Sequence, residues 1–150
     1  MAQTEPKERR EPLLVYEHQL RSRYAETDQM GYVYHGRFLE YFEEARTEMI
    51  REAGVSYKAL EDAGVMLPVM HVSLDYKRPA FYDELLTIRV KIYDEPATRL
   101  FTHYEVVGTD NKVKITGLVV LCFVDFKTRR PCPPPDLFVA GMKSFMESHG

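Results

Sequence analysis

Hydrophobic and polar residues follow two periods along this chain, and the first clear period is that of a β-strand. Over residues 13–24 every second residue belongs to one face, formed by Tyr16, His18, Leu20 and Ser22. The alternation then stops at Asp28 and Gly31, two residue types that favour loops. The pattern therefore predicts a strand followed by a loop.

The next segment has the period of an α-helix. Over residues 36–53 the apolar positions recur at the spacing of one helix face, which carries Phe38, Phe42, Ala45 and Met49. Neighbouring apolar residues widen this face to more than half the circumference. The spacing predicts a long, largely enclosed helix that ends before Gly54. Glu43 and Arg46 stand three residues apart near this face, and we expect them to pair.

The rest of the chain has mainly the pattern of β-structure. A short helix is expected over 56–62, followed by strand-like runs rich in β-branched and aromatic residues at 66–77, 84–93, 98–107 and 112–126. A proline-rich segment ends the last run, and a final amphipathic helix is expected over 136–147. This order indicates an α+β domain with one sheet packed against one helix. Such a layer leaves a face or an edge uncovered, so we expect a homo-oligomer.

Composition and charge exclude several classes of function. The 150 residues are 45% hydrophobic with a formal net charge of −3, which fits one folded domain and gives no broad attraction to nucleic acid or anionic membranes. We expect residues 1–12 to be a flexible lead and residues 13–150 to form the domain. No apolar run approaches the roughly 20 residues of a membrane-spanning helix, and no secretory signal is evident. The two cysteines lack the spacing of a zinc site. We therefore expect a cytoplasmic protein without a metal.

The most informative stretch is the segment from Tyr24 to Gly36, which gathers an acid, a histidine and several tyrosines before the long helix. Exposed N–H groups at the start of a helix stabilise a developing negative charge. The same partial positive charge favours the ionised form of a nearby carboxylate such as Asp28. Together they supply two parts of an acyl-transfer site: a base or nucleophile, and an oxyanion stabiliser.

This segment resembles the 4-hydroxybenzoyl-CoA thioesterase family of hotdog proteins, in the branch that includes the bacterial short acyl-CoA thioesterases. The matching motifs are Glu26-Thr27-Asp28, Gly31, Val33-Tyr34-His35 and Tyr41-Phe42-Glu43-Glu44-Ala45-Arg46, within a resemblance that runs from residue 13 to 138. The resemblance implies a hotdog fold, in which an antiparallel sheet wraps around one long central helix. It also implies a homodimer or homotetramer with active sites at the subunit interface, and hydrolysis of an acyl-CoA thioester.

The same resemblance implies roles for individual residues. Asp28 is the expected catalytic carboxylate, acting as general base or nucleophile, and Tyr24 and His35 line its pocket as further catalytic candidates. The expected oxyanion hole consists of the main-chain amides of His35, Gly36 and Arg37. Coenzyme A carries phosphates, for which the cationic candidates at strand ends are Lys77, Arg78, Lys127, Arg129 and Arg130. No cofactor is expected, because coenzyme A is part of the substrate.

Several alternatives stay open at this level. Asp28 and His35 also fit purely structural roles in a loop, and the basic residues also fit a solvated surface. A second hotdog thioesterase lineage places its carboxylate on the central helix, which makes Glu43 the rival base. The thioester carrier is either coenzyme A or an acyl carrier protein, and the other classes are a 3-hydroxyacyl dehydratase and a non-catalytic acyl-CoA-binding protein. The acyl group and the choice between dimer and tetramer are undetermined.

Overall fold

The structure of the protein is a computed structural model that describes residues 10–149. The first nine residues of the predicted lead lie outside the described residues. The elements follow in the order β1 (Leu14–Arg21), a 3₁₀ turn (Tyr24–Glu26), α1 (Arg37–Glu52), α2 (Tyr57–Asp62), β2 (Val65–Met66), β3 (Val69–Tyr76), β4 (Leu85–Ile92), β5 (Arg99–Val107), β6 (Val113–Cys122), β7 (Val124–Asp125) and α3 (Asp136–His149).

Five of the strands form one antiparallel sheet in the order β1-β4-β5-β6-β3, so that β1 and β3 are its edges. Strands β2 and β7 pair separately. Burial alternates along β1 as predicted, with Leu14 and Tyr16 buried and Val15 and Glu17 exposed. The strictest alternation is in β4, whose inward-facing residues are Leu86, Ile88, Val90 and Ile92. Alternation of this kind places one hydrophobic face of the sheet against α1.

Helix α1 packs closely on the sheet through the predicted apolar face, since all four of its predicted residues are buried. Phe42 stacks on Tyr104 of β5, with ring centroids 4.2 Å apart. Gly117 of β6 makes this approach possible, because a Cβ atom there would lie 2.6 Å from Cε2 of Phe42. A long helix on the inner face of an antiparallel sheet is the α+β hotdog fold that the sequence predicted.

Several details differ from the sequence-based predictions. The run at 66–77 is divided into β2 and β3 around Pro68, which has no N–H group to donate to a sheet. The run at 112–126 is likewise divided into β6 and β7. The apolar face of the helix is also slightly narrower than predicted, because Leu39, one of the neighbouring residues expected to widen it, is exposed. No helix among residues 10–149 has the length and apolar character needed to cross a bilayer.

The predicted pair of Glu43 and Arg46 is wrong. Arg46 is buried against the sheet, where its Nη1 donates a 2.9 Å hydrogen bond to the hydroxyl of Tyr104, while Glu43 is exposed. Burial disfavours the charged guanidinium, but the tyrosine contact outweighs this effect and raises the pKa of Arg46. The two side chains do not pair, because Arg46 packs against the sheet whereas Glu43 faces solvent.

Candidate active site

The segment before α1 folds back on itself as a narrow hairpin, which we call the Asp28 loop (residues 26–34). The main-chain N–H of Tyr34 donates to the carbonyl of Glu26 over 2.8 Å, and the N–H of Asp28 donates to the carbonyl of Tyr32 over 2.7 Å. The turn passes through Gly31, whose φ of 81° favours glycine. The hairpin leads its second arm directly to the start of α1.

One side of the Asp28 loop is attached to the segment between β3 and β4. Val33 N–H donates to the carbonyl of Ala80 over 2.7 Å, and Tyr82 N–H donates to the carbonyl of Gly31 over 3.1 Å. The rings of Tyr32 and Phe81 meet edge to face, with centroids 5.2 Å apart. The loop is therefore held by main-chain bonds as well as by aromatic packing.

The carboxylate of Asp28 is exposed, and its two oxygens have different surroundings. Oδ1 accepts hydrogen bonds from the main-chain N–H groups of Met30 at 2.9 Å and Tyr32 at 3.1 Å. Within residues 10–149, Oδ2 accepts no hydrogen bond. The loop thus fixes the orientation of the carboxylate through one oxygen and leaves the other available to a substrate or a water molecule.

The N-terminus of α1 is open next to this loop. The helix begins at Arg37, and its N-cap residue, Gly36, has no side chain to cap it. The N–H of Arg37 already donates to the carbonyl of Tyr34 over 2.9 Å, unlike the amides of His35 and Gly36, which have no acceptor in the described part of the chain. Two of the three predicted oxyanion donors are thus available, and the amide of Arg37 is engaged in the turn.

Aromatic rings frame the start of α1. The ring of Tyr34 lies so close to Gly36 that a Cβ atom there would be 3.1 Å from Cε2 of Tyr34. The hydroxyl of Tyr76, at the end of β3, donates to the carbonyl of His35 over 3.0 Å. His35 itself is exposed and stacks at a tilt on Tyr34, with ring centroids 4.2 Å apart. Sequence reasoning proposed a site role for His35 but none for Tyr76, which comes from a distant strand.

Tyr24, a further catalytic candidate, lies just before the Asp28 loop. It lies on the 3₁₀ turn, is 78% exposed, and contacts the ring of Tyr82 edge to face at 5.8 Å. Its catalytic role stays a prediction.

The basic candidates fall into two groups. Lys77 and Arg78 are exposed and directly follow β3, next to Tyr76. The second group lies in the turn after β7 and consists of Lys127, Arg129 and Arg130, all exposed. Arg129 lies over the ring of Phe126 and near Met66, just before the other end of β3. Since β3 has eight residues, its ends are about 23 Å apart, and one subunit does not bring the groups together.

Glu26, two residues before Asp28 in the chain, is a buried carboxylate for which sequence reasoning proposed no role. Glu26 is only 8% exposed, and its Oε1 accepts hydrogen bonds of 2.8 Å from both the Tyr41 hydroxyl and the Arg23 main-chain N–H. Burial by itself raises the pKa of Glu26, but these hydrogen bonds and the Arg23 side chain together lower it below its ordinary value. The available signal was Tyr41, because a tyrosine on the buried face of a helix needs a partner for its hydroxyl.

The other polar candidates are less organised. Glu43, the rival base, is exposed on α1 and makes no hydrogen bond or ion pair with any residue in the described range. Across residues 10–149, no group of three or more His, Cys, Asp or Glu side chains is arranged to hold a metal ion. The features that combine a carboxylate with unused helix amides therefore lie at the Asp28 loop and the start of α1.

Known proteins resemble this chain in sequence and in fold. Residues 22–142, which make up most of the chain, match the thioesterase-like superfamily. The chain belongs to this superfamily. YneP of Bacillus subtilis is 32% identical over 117 residues, covering 78% of this chain and 85% of that protein. The acyl-CoA thioester hydrolase YbgC of Escherichia coli is 32% identical over 120 residues, covering 80% of this chain and 90% of that protein.

Solved structures agree with these sequence relatives. The DHNA-CoA thioesterase of Staphylococcus aureus superposes with a TM-score of 0.79 at 28% identity, covering 89% of this chain and 90% of that chain. The resemblance noted in the sequence, the hotdog fold and the assignment to the thioester hydrolases are thereby confirmed.

Proposed function

We propose that this protein hydrolyses an acyl-CoA thioester to a free acid and coenzyme A, with Asp28 as the catalytic carboxylate. The observation that carries the proposal is the Asp28 side chain, held by loop amides through Oδ1 and unbonded at Oδ2 within the described chain. This carboxylate stands on a loop that runs directly into the uncapped start of α1. The names of YbgC and of the Staphylococcus aureus enzyme support a coenzyme A thioester as the substrate.

The proposed chemistry uses both the amides before α1 and the carboxylate of Asp28. The thioester carbonyl oxygen accepts hydrogen bonds from the amides of His35 and Gly36, which stabilise the negative charge of the tetrahedral intermediate. Asp28 takes a proton from the attacking water, or attacks the carbonyl carbon itself and forms an anhydride that water then cleaves. In either route the C–S bond breaks, the coenzyme A thiolate leaves and takes up a proton, and no cofactor takes part.

The proposed site also includes a second copy of the chain. Strand β3 is an edge whose residues are almost all exposed, including Val69, Met70 and Val72. An exposed, apolar edge strand is a template for pairing with another strand. Antiparallel pairing of two β3 strands around a two-fold axis places the start of one strand beside the end of the other.

This arrangement accounts for the separation of the basic residues. Lys77 and Arg78 follow the end of β3, and Arg129 lies near its start. In the proposed dimer, Arg129 and Arg130 of the partner subunit approach Lys77 and Arg78 next to the first subunit's helix start. Together these cations are suited to bind the phosphates of coenzyme A.

The test is thiol release from short, long and aromatic acyl-CoA esters by the wild-type protein and by Asp28→Asn. The amide keeps the shape of the side chain but is neither a base nor a nucleophile, so we expect kcat to fall at least ~100-fold with the fold intact. Glu43→Gln serves as the matched carboxylate control on α1 and should retain activity.

The outcomes separate the alternatives. Loss of activity in Glu43→Gln with retention in Asp28→Asn moves the catalytic carboxylate to α1. Turnover of acyl carrier protein thioesters without turnover of any coenzyme A ester would show that the substrate's carrier is the carrier protein and not coenzyme A. Binding of coenzyme A esters without turnover of either carrier leaves the protein a non-catalytic binder and contradicts the proposal.

A further inference from the structure

The base and the oxyanion donors of the proposed site belong to different elements. Asp28 lies near the tip of the Asp28 loop, whereas the unused amides precede α1. Catalysis depends on their relative position, because the carbonyl carbon must be reached while its oxygen stays in the hole. The contacts that fix the Asp28 loop to α1 therefore affect the rate of hydrolysis.

Glu26 makes that connection. It begins the Asp28 loop two residues before Asp28, and Tyr41 lies one turn into α1. Their 2.8 Å hydrogen bond is the one side-chain hydrogen bond that joins residues 26–34 to α1 within residues 10–149. Both side chains are buried, so water does not compete with the contact.

The carboxylate of Glu26 is held from two sides. Its Oε1 accepts hydrogen bonds from the Arg23 main-chain N–H and from the Tyr41 hydroxyl. Its Oε2 accepts a hydrogen bond of 3.3 Å from the Arg23 guanidinium. The carbonyl of the same residue accepts from Tyr34, on the returning arm of the hairpin. Glu26 thus contacts the preceding turn, the second arm of the loop and the helix at once.

We propose that Glu26, anchored by Tyr41, is a positioning residue that sets the Asp28 carboxylate relative to the amides of His35 and Gly36. This inference rests on the proposed thioesterase function of the same site. Glu26 acts through the position of Asp28 and exchanges no proton with the substrate. Its Oε1 is occupied by two donors, and its side chain is buried while that of Asp28 is exposed.

The chain offers a matched control at the other end of α1. The hydroxyl of Tyr16 donates a 2.7 Å hydrogen bond to the carboxylate of Glu52. Like Tyr41, Tyr16 is buried, and burial together with its glutamate partner raises its pKa. Tyr16→Phe therefore removes the same kind of bond from the same helix, away from the site.

The experiment compares kcat, KM and melting temperature for Tyr41→Phe, Glu26→Gln and Tyr16→Phe, using the acyl-CoA ester that the wild type hydrolyses best. We expect Tyr41→Phe to lower kcat roughly 10- to 100-fold with little change in KM, the scale associated with a misplacement of about 1 Å. Tyr16→Phe should lower the melting temperature similarly and leave kcat unchanged. Glu26→Gln keeps an oxygen acceptor for Tyr41 and should retain most of the wild-type kcat.

Each other outcome contradicts the inference in a distinct way. Equal kcat values for Tyr41→Phe and Tyr16→Phe would show that the bond is merely structural. A Glu26→Gln variant as inactive as Asp28→Asn would make Glu26 a chemical participant instead of a positioning residue. Absence of turnover by the wild type on every thioester overturns the proposed function itself, and the positioning role with it.

Discussion

The two edges of the sheet, β1 and β3, have the same length and opposite surroundings. Both strands contain eight residues and pair with one neighbour within the chain. The inner face of β1 is covered by α1 and α3, and burial alternates along the strand. Along β3, by contrast, only Leu74 is partly buried, and its exposed hydrophobic residues are Val69, Met70, Val72 and Tyr76.

The difference shows that a single subunit covers the inner face of the sheet edge at β1 but leaves the edge at β3 exposed. The exposed residues of β1 are mostly polar or charged, which discourages pairing with another strand, whereas β3 offers hydrophobic residues and one charge, Asp75. Tyr76 at the end of β3 also donates to the carbonyl of His35. The β3 edge is therefore next to the proposed site, so the proposed pairing through β3 would link oligomerisation to activity.

The largest expected effect follows from placing a charge at the middle of β3. In a two-fold pair of β3 strands, Val72→Asp brings two carboxylates together, and like charges at an interface cost several kcal/mol. We expect the dimer dissociation constant to rise at least ~100-fold, with loss of activity. Sedimentation velocity and thiol release measure the two effects.

Val15→Asp on β1 is the matched control. Val15 is 38% exposed and Val72 is 37% exposed, so neither change buries a charge in the single subunit. Val15 stands opposite Lys91, which favours the new carboxylate. Oligomeric mass should stay unchanged in this variant, and an unchanged mass in Val72→Asp as well would refute pairing through β3.

A smaller effect is expected from the strand beside β3. Gly117 of β6 pairs with Leu74 of β3, and a Cβ atom on it would lie 2.6 Å from Phe42 and 3.0 Å from Leu74. Gly117→Ala should therefore destabilise the protein by about 1–3 kcal/mol through overpacking. Chemical denaturation measures the change, with Thr116→Ala, whose side chain faces away from α1, as the milder control. Equal stability of the two variants would mean that α1 shifts at no cost.

The smallest effect concerns ion pairs on the β1 side. Arg89 of β4 bonds Glu17 of β1 and Glu105 of β5, at 3.0 and 2.8 Å. Burial raises the pKa of Glu105, but Arg89 and Lys91 outweigh it and lower the pKa below its ordinary value. A lowered pKa stabilises the fold above the ordinary value, about 4.5, and this stabilisation is lost as the pH falls through the folded pKa.

We therefore expect the melting temperature to drop below pH 4.5 less steeply in Glu105→Gln than in the wild type, by an amount worth about 1 kcal/mol or less. Asp75→Asn on β3 makes no comparable difference, since Asp75 has no ion pair among the described residues. Identical pH profiles for wild type and Glu105→Gln would contradict the stabilising role of this network.

Local pattern was sufficient for much of the fold. Alternation predicted the buried face of β1, and the helical period predicted four of the seven residues that α1 buries. These predictions succeed because the periods of strands and helices are set by the backbone. They failed where one residue interrupted the backbone, as Pro68 does between β2 and β3.

The candidate site was predictable as a segment but not as an arrangement. The motif around Asp28 identified the loop and the helix start that follows it. The burial of Glu26 by Tyr41, the engagement of the Arg37 amide and the contact of Tyr76 with His35 all depend on how separate elements meet. The exposed position of Tyr24 and the partner of Arg46 depend on the same packing.

The amino-acid sequence alone determined the order of the elements, the inward faces of α1 and β1 and the resemblance to a thioesterase family. It also pointed to Asp28 as the candidate catalytic carboxylate. These properties are local, because they arise from spacing along the chain and from side-chain chemistry. Only the tertiary structure decided that β3 is the bare edge, that one carboxylate of the motif is buried while the other is exposed, and that the basic residues lie at opposite ends of a strand. Those properties follow from which surfaces pack together, and packing joins residues that are distant in the sequence.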